Sequence, residues 1–318
     1  MDKVKNQQEN LFKKDDLYNI SMSELIIKDS EEKQNYSIEE IRNKIVWGNA
    51  FKVLKKIDDE VFDMVFIDPP YFLQLPNKEL RRWKVKTVVE GVNDKWDKFS
   101  SFQEYDNFIT ELLKEVKRVM KPNATIWVIA TYHSIFRIGR IMQDLEYWIL
   151  NDIIWIKTNP MPNWLGVRFT NATENLIWAV KNKNAKKYTF NKEYAKKFGI
   201  GKVRANVWVL PLCGGKERLK DEKGKKLHST QKPMELLKRV ILTSTKEGDL
   251  ILDPVAGTGT TGYVANALNR NFIMIETNEK YVKGIVERFK MPLKITDEPH
   301  PKGNKVTKIQ LSQEENLI

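Results

Sequence analysis

The stretch Val61-Phe-Asp-Met-Val-Phe-Ile-Asp68-Pro69-Pro70-Tyr71 decides the fold of this 318-residue chain. β-Branched and aromatic residues fill positions 61–67, which is typical of a buried strand, and two prolines then end the hydrogen-bonded ladder. Open α/β sheets bind their ligands just beyond the carboxyl ends of strands. We therefore expect residues 68–71 to lie at the binding edge of a sheet.

The residue types at positions 68–71 suit chemistry on an amino group. The Asp68 carboxylate can accept one N–H hydrogen bond, and the Pro69 carbonyl, held by a ring that fixes φ, can accept a second. With both hydrogens engaged, the nitrogen lone pair can attack a methyl group. Tyr71 offers a flat face for a base taken out of a duplex. The alternative is a strand that ends in a Pro-Pro turn with a capping Asp.

Strands and helices alternate from residue 41 onward, which predicts an α/β, doubly wound sheet with helices on both faces. The predicted strands are 44–47, 61–67, 124–130, 149–157, 175–180, 249–253 and 272–276. The predicted helices are 102–120, 134–145, 233–246, 260–270 and 278–289. Residues 1–40 show weak periodicity and predict an acidic arm, helical at most around 21–33.

A second motif, Asp253-Pro-Val-Ala-Gly257-Thr-Gly259-Thr-Thr-Gly262, follows the predicted strand 249–253. Its glycines allow a tight turn into a helix N-terminus, where a backbone can approach a ligand closely. A dinucleotide oxidoreductase is one alternative, but we expect the 56 residues after Gly262 to be too few for its remaining strands. No Gly-Lys-Ser/Thr follows, so a P-loop is excluded. Glu276 ends the next strand, where a carboxylate can accept both ribose hydroxyls, so a nucleoside ligand fits best.

The charge distribution favours a polyanionic partner. The chain carries +12 overall and residues 1–40 carry −4, so the remainder carries +16, and such an excess attracts phosphates. The alternative is that Lys and Asn are abundant because the coding DNA is AT-rich. No apolar run is long enough to span a membrane. One cysteine and the lack of a Cys/His cluster predict neither a disulfide nor a metal site. A cytoplasmic protein is expected, associated with the nucleoid through DNA binding.

Two segments interrupt the alternation and are predicted to contact nucleic acid. Residues 72–100 form a long, charged segment that contains Trp, and loops of this length are often functional. Residues 181–226 include nine basic residues and one acid between Lys181 and Arg204, interleaved with aromatics at 188, 190, 194 and 198. The alternative for the second segment is a solvated surface. The predicted DNA-binding residues are Arg81, Arg82, Lys95, Trp96, Arg168, Lys186, Lys187 and Arg204.

Together the two motifs resemble those of amino-group DNA methyltransferases, which use S-adenosyl-L-methionine. The catalytic motif precedes the cofactor motif, and this permuted order is similar to that of the beta class. A third signature of that class stands here as His228-Ser229-Thr230-Gln231-Lys232-Pro233. The hexapeptide can also be explained as a helix start with a hydroxyl cap and a proline in the first turn, and both interpretations can hold together.

The resemblance implies a seven-stranded, mostly parallel sheet whose last strand is antiparallel, with 61–67 beside 249–253. It implies a methyltransferase domain over 41–290, preceded by the 1–40 arm and followed by a 291–318 tail. The catalytic residues would be Asp68, Pro69, Pro70 and Tyr71. The cofactor-binding residues would be Asn49, His228, Ser229, Thr230, Lys232, Asp253, Ala256, Gly257, Thr258, Gly259, Thr260, Thr261 and Glu276.

Further stretches look like the CcrM-like subgroup, which methylates adenine-N6 in GANTC. They are 91–99, 159–163, 168–178 and 216–226, although Thr173-Glu174 stands where that subgroup often has His-Glu. The expected partners are double-stranded DNA, a second copy in a homodimer and a cognate restriction endonuclease. The alternatives are an N4-cytosine methyltransferase, whose motif usually begins with Ser, and a catalytically dead DNA-binding relative.

Overall fold

The computed structural model describes residues 22–73, 80–81, 88–89, 97–163, 166–198 and 205–291. The strands are β1 (Ile26–Lys28), β2 (Lys44–Trp47), β3 (Phe62–Ile67), β4 (Leu80–Arg81), β5 (Val88–Val89), β6 (Met120–Ala130), β7 (Trp148–Lys157), β8 (Thr173–Val180), β9 (Val207–Leu210), β10 (Leu250–Asp253) and β11 (Asn271–Glu276). The α-helices are α1 (Met22–Leu25), α2 (Ile38–Ile41), α3 (Ala50–Leu54), α4 (Phe102–Val119), α5 (Ile135–Asp144), α6 (Lys192–Lys196), α7 (Met234–Ser244), α8 (Thr260–Ala267) and α9 (Glu279–Phe289).

One mixed sheet organises the described part of the chain, in the order β1-β2-β11-β10-β3-β6-β8-β7-β9. Neighbouring strands are parallel except where β8 pairs with β6 and β7. The predicted α/β class and the mostly parallel sheet are confirmed. β10 lies directly beside β3, with Leu252 opposite Val65, so the predicted adjacency of the two motif strands is also correct.

Two details of the predicted sheet are wrong. It has nine strands instead of seven, because β1 adds an edge strand from the segment assigned to the acidic arm and β9 adds one from within 181–226. The antiparallel strand is β8, which lies inside the sheet instead of coming last. β8 pairs with β7 as a hairpin, and a hairpin connection reverses the chain direction.

The core has two layers because β3, β6, β10 and β11 are covered on both faces. Along β3, Val65 and Ile67 pack into one hydrophobic cluster while Met64 and Phe66 pack into the other. This follows from the alternation of side chains across a strand, and it explains why Met64 to Ile67 form a continuously apolar run. The five predicted helices correspond to α4, α5, α7, α8 and α9. None of the described helices is long and apolar enough to cross a bilayer.

The aromatic residues of segment 181–226 pack into the protein. Tyr194 and Phe198 are buried, and Phe190 lies against Trp178 with ring centroids 5.4 Å apart. Tyr188 contacts the same Trp178 ring edge-on. The inference that these aromatics mark a nucleic-acid surface is therefore wrong, since the apolar face of the sheet accounts for them. The basic residues of the segment remain predicted DNA contacts.

Candidate active site

The two predicted motifs meet at one cavity. β3 and β10 are adjacent and parallel, so the segments that follow them leave the sheet at the same edge. Between them lies a cavity of about 580 Å³, within the size range of small-molecule sites. All four residues 68–71 line it, together with Asp253 and the glycine loop that follows.

Most residues predicted to bind the cofactor line this cavity. They are Asn49, His228, Thr230, Lys232, Asp253, Ala256, Gly257, Thr258, Thr260, Thr261 and Glu276. Gly259 and Ser229 are not part of the lining. A Cβ on Gly259 would lie 2.7 Å from Ile285 Cγ2, so close packing of the loop on α9 requires glycine there. The cavity also includes Thr277, Asn278 and Tyr281, which the motif pattern did not indicate.

Gly257 and Glu276 join the glycine loop to the end of β11. Gly257 adopts φ 54°, in the left-handed region, and donates its N–H to Glu276 Oε2 at 2.8 Å. Glu276 Oε1 accepts the N–H of Asn278 at 2.7 Å. A carboxylate oxygen can accept more than one hydrogen bond, so Glu276 can hold the loop and still accept hydroxyl donors from a ligand.

Burial shifts the pKa values of the titratable side chains that line the cavity near the glycine loop. It raises the pKa of Asp253 to about 7, against hydrogen bonds from Thr261 and the Val255 N–H that lower it. Burial also raises the pKa of Glu276. The pKa of His228 falls to about 3 for the same reason, with the charges of Lys232 and Arg218 adding to the effect. His228 is therefore neutral at physiological pH, and its Nδ1 accepts the Thr230 N–H at 3.2 Å.

Asp97 fixes the backbone of the catalytic turn. Its carboxylate accepts the N–H groups of Tyr71, Phe72 and Leu73 at 2.6, 2.7 and 2.9 Å. Phe72 adopts φ 50°, a conformation that costs a non-glycine residue energy and needs such support. The sequence interpretation missed this role, although Asp97 lies in the quoted stretch 91–99 as an acid after a Trp. The Pro70 carbonyl is anchored as well, by the Tyr105 hydroxyl at 2.8 Å.

Lys232 connects the third signature to the catalytic motif. Its Nζ lies 2.8 Å from Asp68 Oδ2 and 5.0 Å from the centroid of the Tyr71 ring. Burial raises the pKa of Asp68, and the Lys232 ammonium opposes this by favouring the carboxylate. The lysine therefore favours the ionised form of the partly buried Asp68, in which both oxygens are acceptors only.

Glu174 is the second residue that sequence reasoning missed. The Tyr71 hydroxyl donates to its Oε2 at 3.0 Å, and Lys157 Nζ lies 3.0 Å from its Oε1. The sequence noted Thr173-Glu174 only as a departure from a subgroup pattern. A charged residue two positions before the apolar run Leu-Ile-Trp-Ala-Val is the signal that could have indicated a buried partner.

Three of the predicted DNA-binding residues have described side chains, and these do not line the cavity. Arg168, Lys186 and Lys187 are exposed, and Arg168 donates to the Tyr132 hydroxyl at 2.9 Å. Arg81 lies on β4, which pairs with β5 in a separate small sheet. Arg82, Lys95, Trp96 and Arg204 lie outside the described residues. Within the described part of the chain, no group of three or more His, Cys, Asp or Glu side chains is arranged to hold a metal ion.

Comparison with known proteins places this site in a family. The DNA methylase model for N6 and N4 enzymes matches residues 62–287. The Type II methyltransferase M.HinfI of Haemophilus influenzae is 51% identical over 246 residues, which cover 77% of this chain and 68% of that protein. The Type II methyltransferase M2.LlaDCHI of Lactococcus lactis subsp. cremoris is 42% identical, covering 75% and 86%.

Two solved structures share the fold. The complex of M1.HpyAVI with SAM has a TM-score of 0.55 and 25% identity, covering 78% of this chain and 98% of that one. The cytosine-N4-specific PvuII DNA methyltransferase has a TM-score of 0.61 and 18% identity, covering 84% and 90%. The prediction of S-adenosylmethionine as the cofactor is confirmed, and the cradle between Gly257 and Glu276 fits a nucleoside. This chain belongs to the N6/N4 family of DNA methylases.

Proposed function

We propose that the protein transfers a methyl group from S-adenosylmethionine to adenine-N6 in double-stranded DNA. The observation that carries the proposal is the position of Asp68: a partly buried carboxylate paired with Lys232 lies on the same cavity as the glycine loop. The residues that bind the methyl donor and those that bind the target amino group would thus line the same cavity. A catalytically dead relative would not need to retain this ion pair beside the cavity.

Each residue of the turn has a task in this proposal. Asp68 accepts one N–H of the target amino group, and the Pro69 carbonyl accepts the other. Tyr71 stacks on the flipped base, with its ring held through its hydroxyl. Bound S-adenosylmethionine supplies a methyl group already activated on a sulfonium, so the protein mainly positions the nucleophile. Asn49 uses its Oδ1 to cap α3, accepting the Phe51 and Lys52 N–H groups, and it would present its amide to the cofactor adenine.

Adenine is favoured over cytosine by Asp68, because N4-cytosine enzymes of this kind usually begin the motif with Ser. The fold does not discriminate between the two, since a cytosine-N4-specific enzyme shares it. We propose GANTC as the recognition sequence on the resemblance of stretches 91–99 and 168–178 to the CcrM-like subgroup. The permuted motif order supports assignment to the beta class.

The loop between β7 and β8 is proposed as part of the DNA surface. It contains Arg168, with Val167 78% and Phe169 98% exposed on either side. Its two ends are Lys157 and Thr173, next to the Glu174 that bonds Tyr71, so the loop rises beside the proposed base site. Arginine can hold phosphates, and an exposed aromatic can fill the gap left by a flipped base. We expect Arg168→Ala to weaken binding and to reduce the salt slope of DNA affinity by about one.

Methylation-sensitive sequencing of plasmid DNA from cells that express the chain tests the proposal. N6-methyladenine within GANTC is expected, and DNA from cells expressing Asp68→Ala should lack it. N4-methylcytosine would overturn the adenine assignment, and methylation at another sequence would overturn GANTC alone. Homodimer formation is a separate proposal, which analytical ultracentrifugation would check by showing a mass near twice that of the chain. A cognate endonuclease is also proposed as a partner and would be sought as cleavage of the same sequence.

A further inference from the structure

Four charged side chains lie together behind the proposed base site. Asp68 pairs with Lys232 at 2.8 Å, and Lys157 pairs with Glu174 at 3.0 Å. Lys232 Nζ is also 3.9 Å from Glu174 Oε2, so the two pairs form one cluster. Glu174 and both lysines have side-chain exposures below 10%. Two carboxylates and two lysines balance one another in charge, and Asp68, at 20% side-chain exposure, is the member most open to the cavity.

Stability alone gives a weak reason for this cluster. Desolvating ions costs about as much as their attraction returns, and apolar residues of similar volume often do as well. Glu174 lies near the start of β8, before the apolar run 176–180, and pairs with Lys157 at the end of the neighbouring β7. Its other contact is with the Tyr71 hydroxyl, 103 residues away in sequence. Glu174 therefore links the β7–β8 hairpin to the catalytic turn.

We propose that Glu174 is a positioning residue for methyl transfer, which holds the Tyr71 ring and the Lys232 ammonium in a fixed relation to Asp68. The inference rests on the proposed function of residues 68–71. Lys157 takes Oε1, so Oε2 is the oxygen turned toward Tyr71 and Lys232. One carboxylate thus contacts both groups that border Asp68.

The second carboxylate also bears on how Asp68 accepts its substrate. Lys232 occupies Asp68 Oδ2, and a target amino group must approach the same carboxylate. Glu174 gives the ammonium another negative charge nearby. The hydrogen bond from Lys232 to Asp68 can therefore weaken when the amino group binds, while Lys232 keeps Glu174 as an ionic partner. The Tyr71 ring, under the same ammonium, stays in place because its hydroxyl bonds Glu174.

Single-turnover methyl transfer with Glu174→Gln, Tyr71→Phe and the double variant tests the proposal. At saturating S-adenosylmethionine and DNA, we expect Glu174→Gln to lower the transfer rate about tenfold to a hundredfold, the range that misplacing reacting groups costs. Its Kd for S-adenosylmethionine should stay within about threefold of wild type, since Glu174 does not line the cavity. In the Tyr71→Phe background, Glu174→Gln should lower the transfer rate by a smaller factor, because the hydrogen bond between Tyr71 and Glu174 is already absent.

Asp63→Asn is the matched control. Like Glu174, Asp63 is an acid on a sheet strand and pairs with a lysine, Lys121 at 2.7 Å, but it lies near the start of β3, away from the catalytic turn. It should lose stability and keep its transfer rate. The pH profile adds a readout that a structural role would not move. Asp68 faces Lys232, Glu174, Tyr71 and Asp253, and removing the Glu174 charge lowers its pKa, so the acid limb should shift to lower pH.

The outcomes separate cleanly. If wild type transfers no methyl group, the proposed function fails before Glu174 is tested. A Glu174→Gln rate within about twofold of an active wild type, or an unmoved acid limb, overturns the positioning role. Should Glu174→Gln fail to fold, the apolar pair Glu174→Leu with Lys157→Met leaves no buried charge unpaired. That variant must then show the same loss of rate with cofactor binding kept, and full activity in it would overturn the inference.

Discussion

The ends of β3 and β10 lie side by side, yet they are built in different ways. After β10, the glycine loop depends on backbone conformation and on amides held by Glu276. After β3, the turn depends on side chains that arrive from distant elements: Asp97, Lys232 and Glu174. The glycine loop is thus held mainly by its own backbone conformation, whereas the catalytic turn is held by tertiary contacts. The comparison suggests that cofactor binding and methyl transfer can be damaged separately.

The strongest test of this separation is Asp68→Ala. It removes the acceptor for the amino group and should lower methyl transfer by about a thousandfold, within the range for a side chain engaged with a transferred proton. Cofactor affinity should hardly change, because the glycine loop keeps its own contacts. Rapid-quench transfer assays and equilibrium titration measure the two quantities. Equal losses in both would show that the two ends are not independent.

The reverse experiment is Gly257→Ala. An L residue at φ 54° costs about 1–2 kcal/mol, and the new Cβ would lie 3.4 Å from His228 Nε2. We expect the Kd for S-adenosylmethionine to rise about tenfold, with the transfer rate at saturation nearly unchanged. Gly248→Ala is the control, since its φ of 84° carries a similar strain with nothing within 4 Å. An equal rise in Kd for the control would contradict the local account of the loop.

Lys232→Met tests the tertiary contacts of the catalytic turn through the pH dependence of the transfer rate. Lys232 lowers the pKa of Asp68 against its burial, so its loss raises that pKa. The reactive form is the carboxylate, so the acid limb of the single-turnover rate should move to higher pH, opposite to the shift expected for Glu174→Gln. The groups facing Asp68 are Lys232, Glu174, Tyr71 and Asp253. An exposed control, Lys223→Met, should leave the limb where it is, and a shift to lower pH in Lys232→Met would refute the role of the ammonium.

The last test concerns the stability of the protein and leaves its activity aside. Folding raises the pKa of Asp253 to about 7, from about 3.9 in an unfolded chain. The native state therefore binds more protons between these values, and the free energy of unfolding falls as pH rises from 4 to 7. Asp253→Asn removes this loss, so its unfolding free energy should gain on wild type over that interval. Denaturant titrations at pH 4, 6 and 8 check it, and a constant difference would contradict the buried-acid account.

The same comparison explains what could be predicted from sequence. The strands 61–67 and 249–253, the glycine loop and its helix follow from local periodicity and turn chemistry, and all were placed correctly. Asp97 and Glu174 were missed because their importance comes from contacts 24 to 26 and 103 residues away. The edge strand β1 was missed because three residues carry too little periodicity. Tyr194 and Phe198 were wrongly interpreted as marks of a nucleic-acid surface, because a buried core and base stacking favour the same aromatic residues.

The most direct test of the central claim is methyl transfer by the purified protein to plasmid DNA, followed by nucleoside analysis. With labelled S-adenosylmethionine, wild type should place the label on N6-methyladenine, and Asp68→Ala should bind the cofactor but place almost none. Label on N4-methylcytosine would contradict the adenine assignment. Wild-type activity in Asp68→Ala would contradict the claim that the end of β3 is where the chemistry occurs.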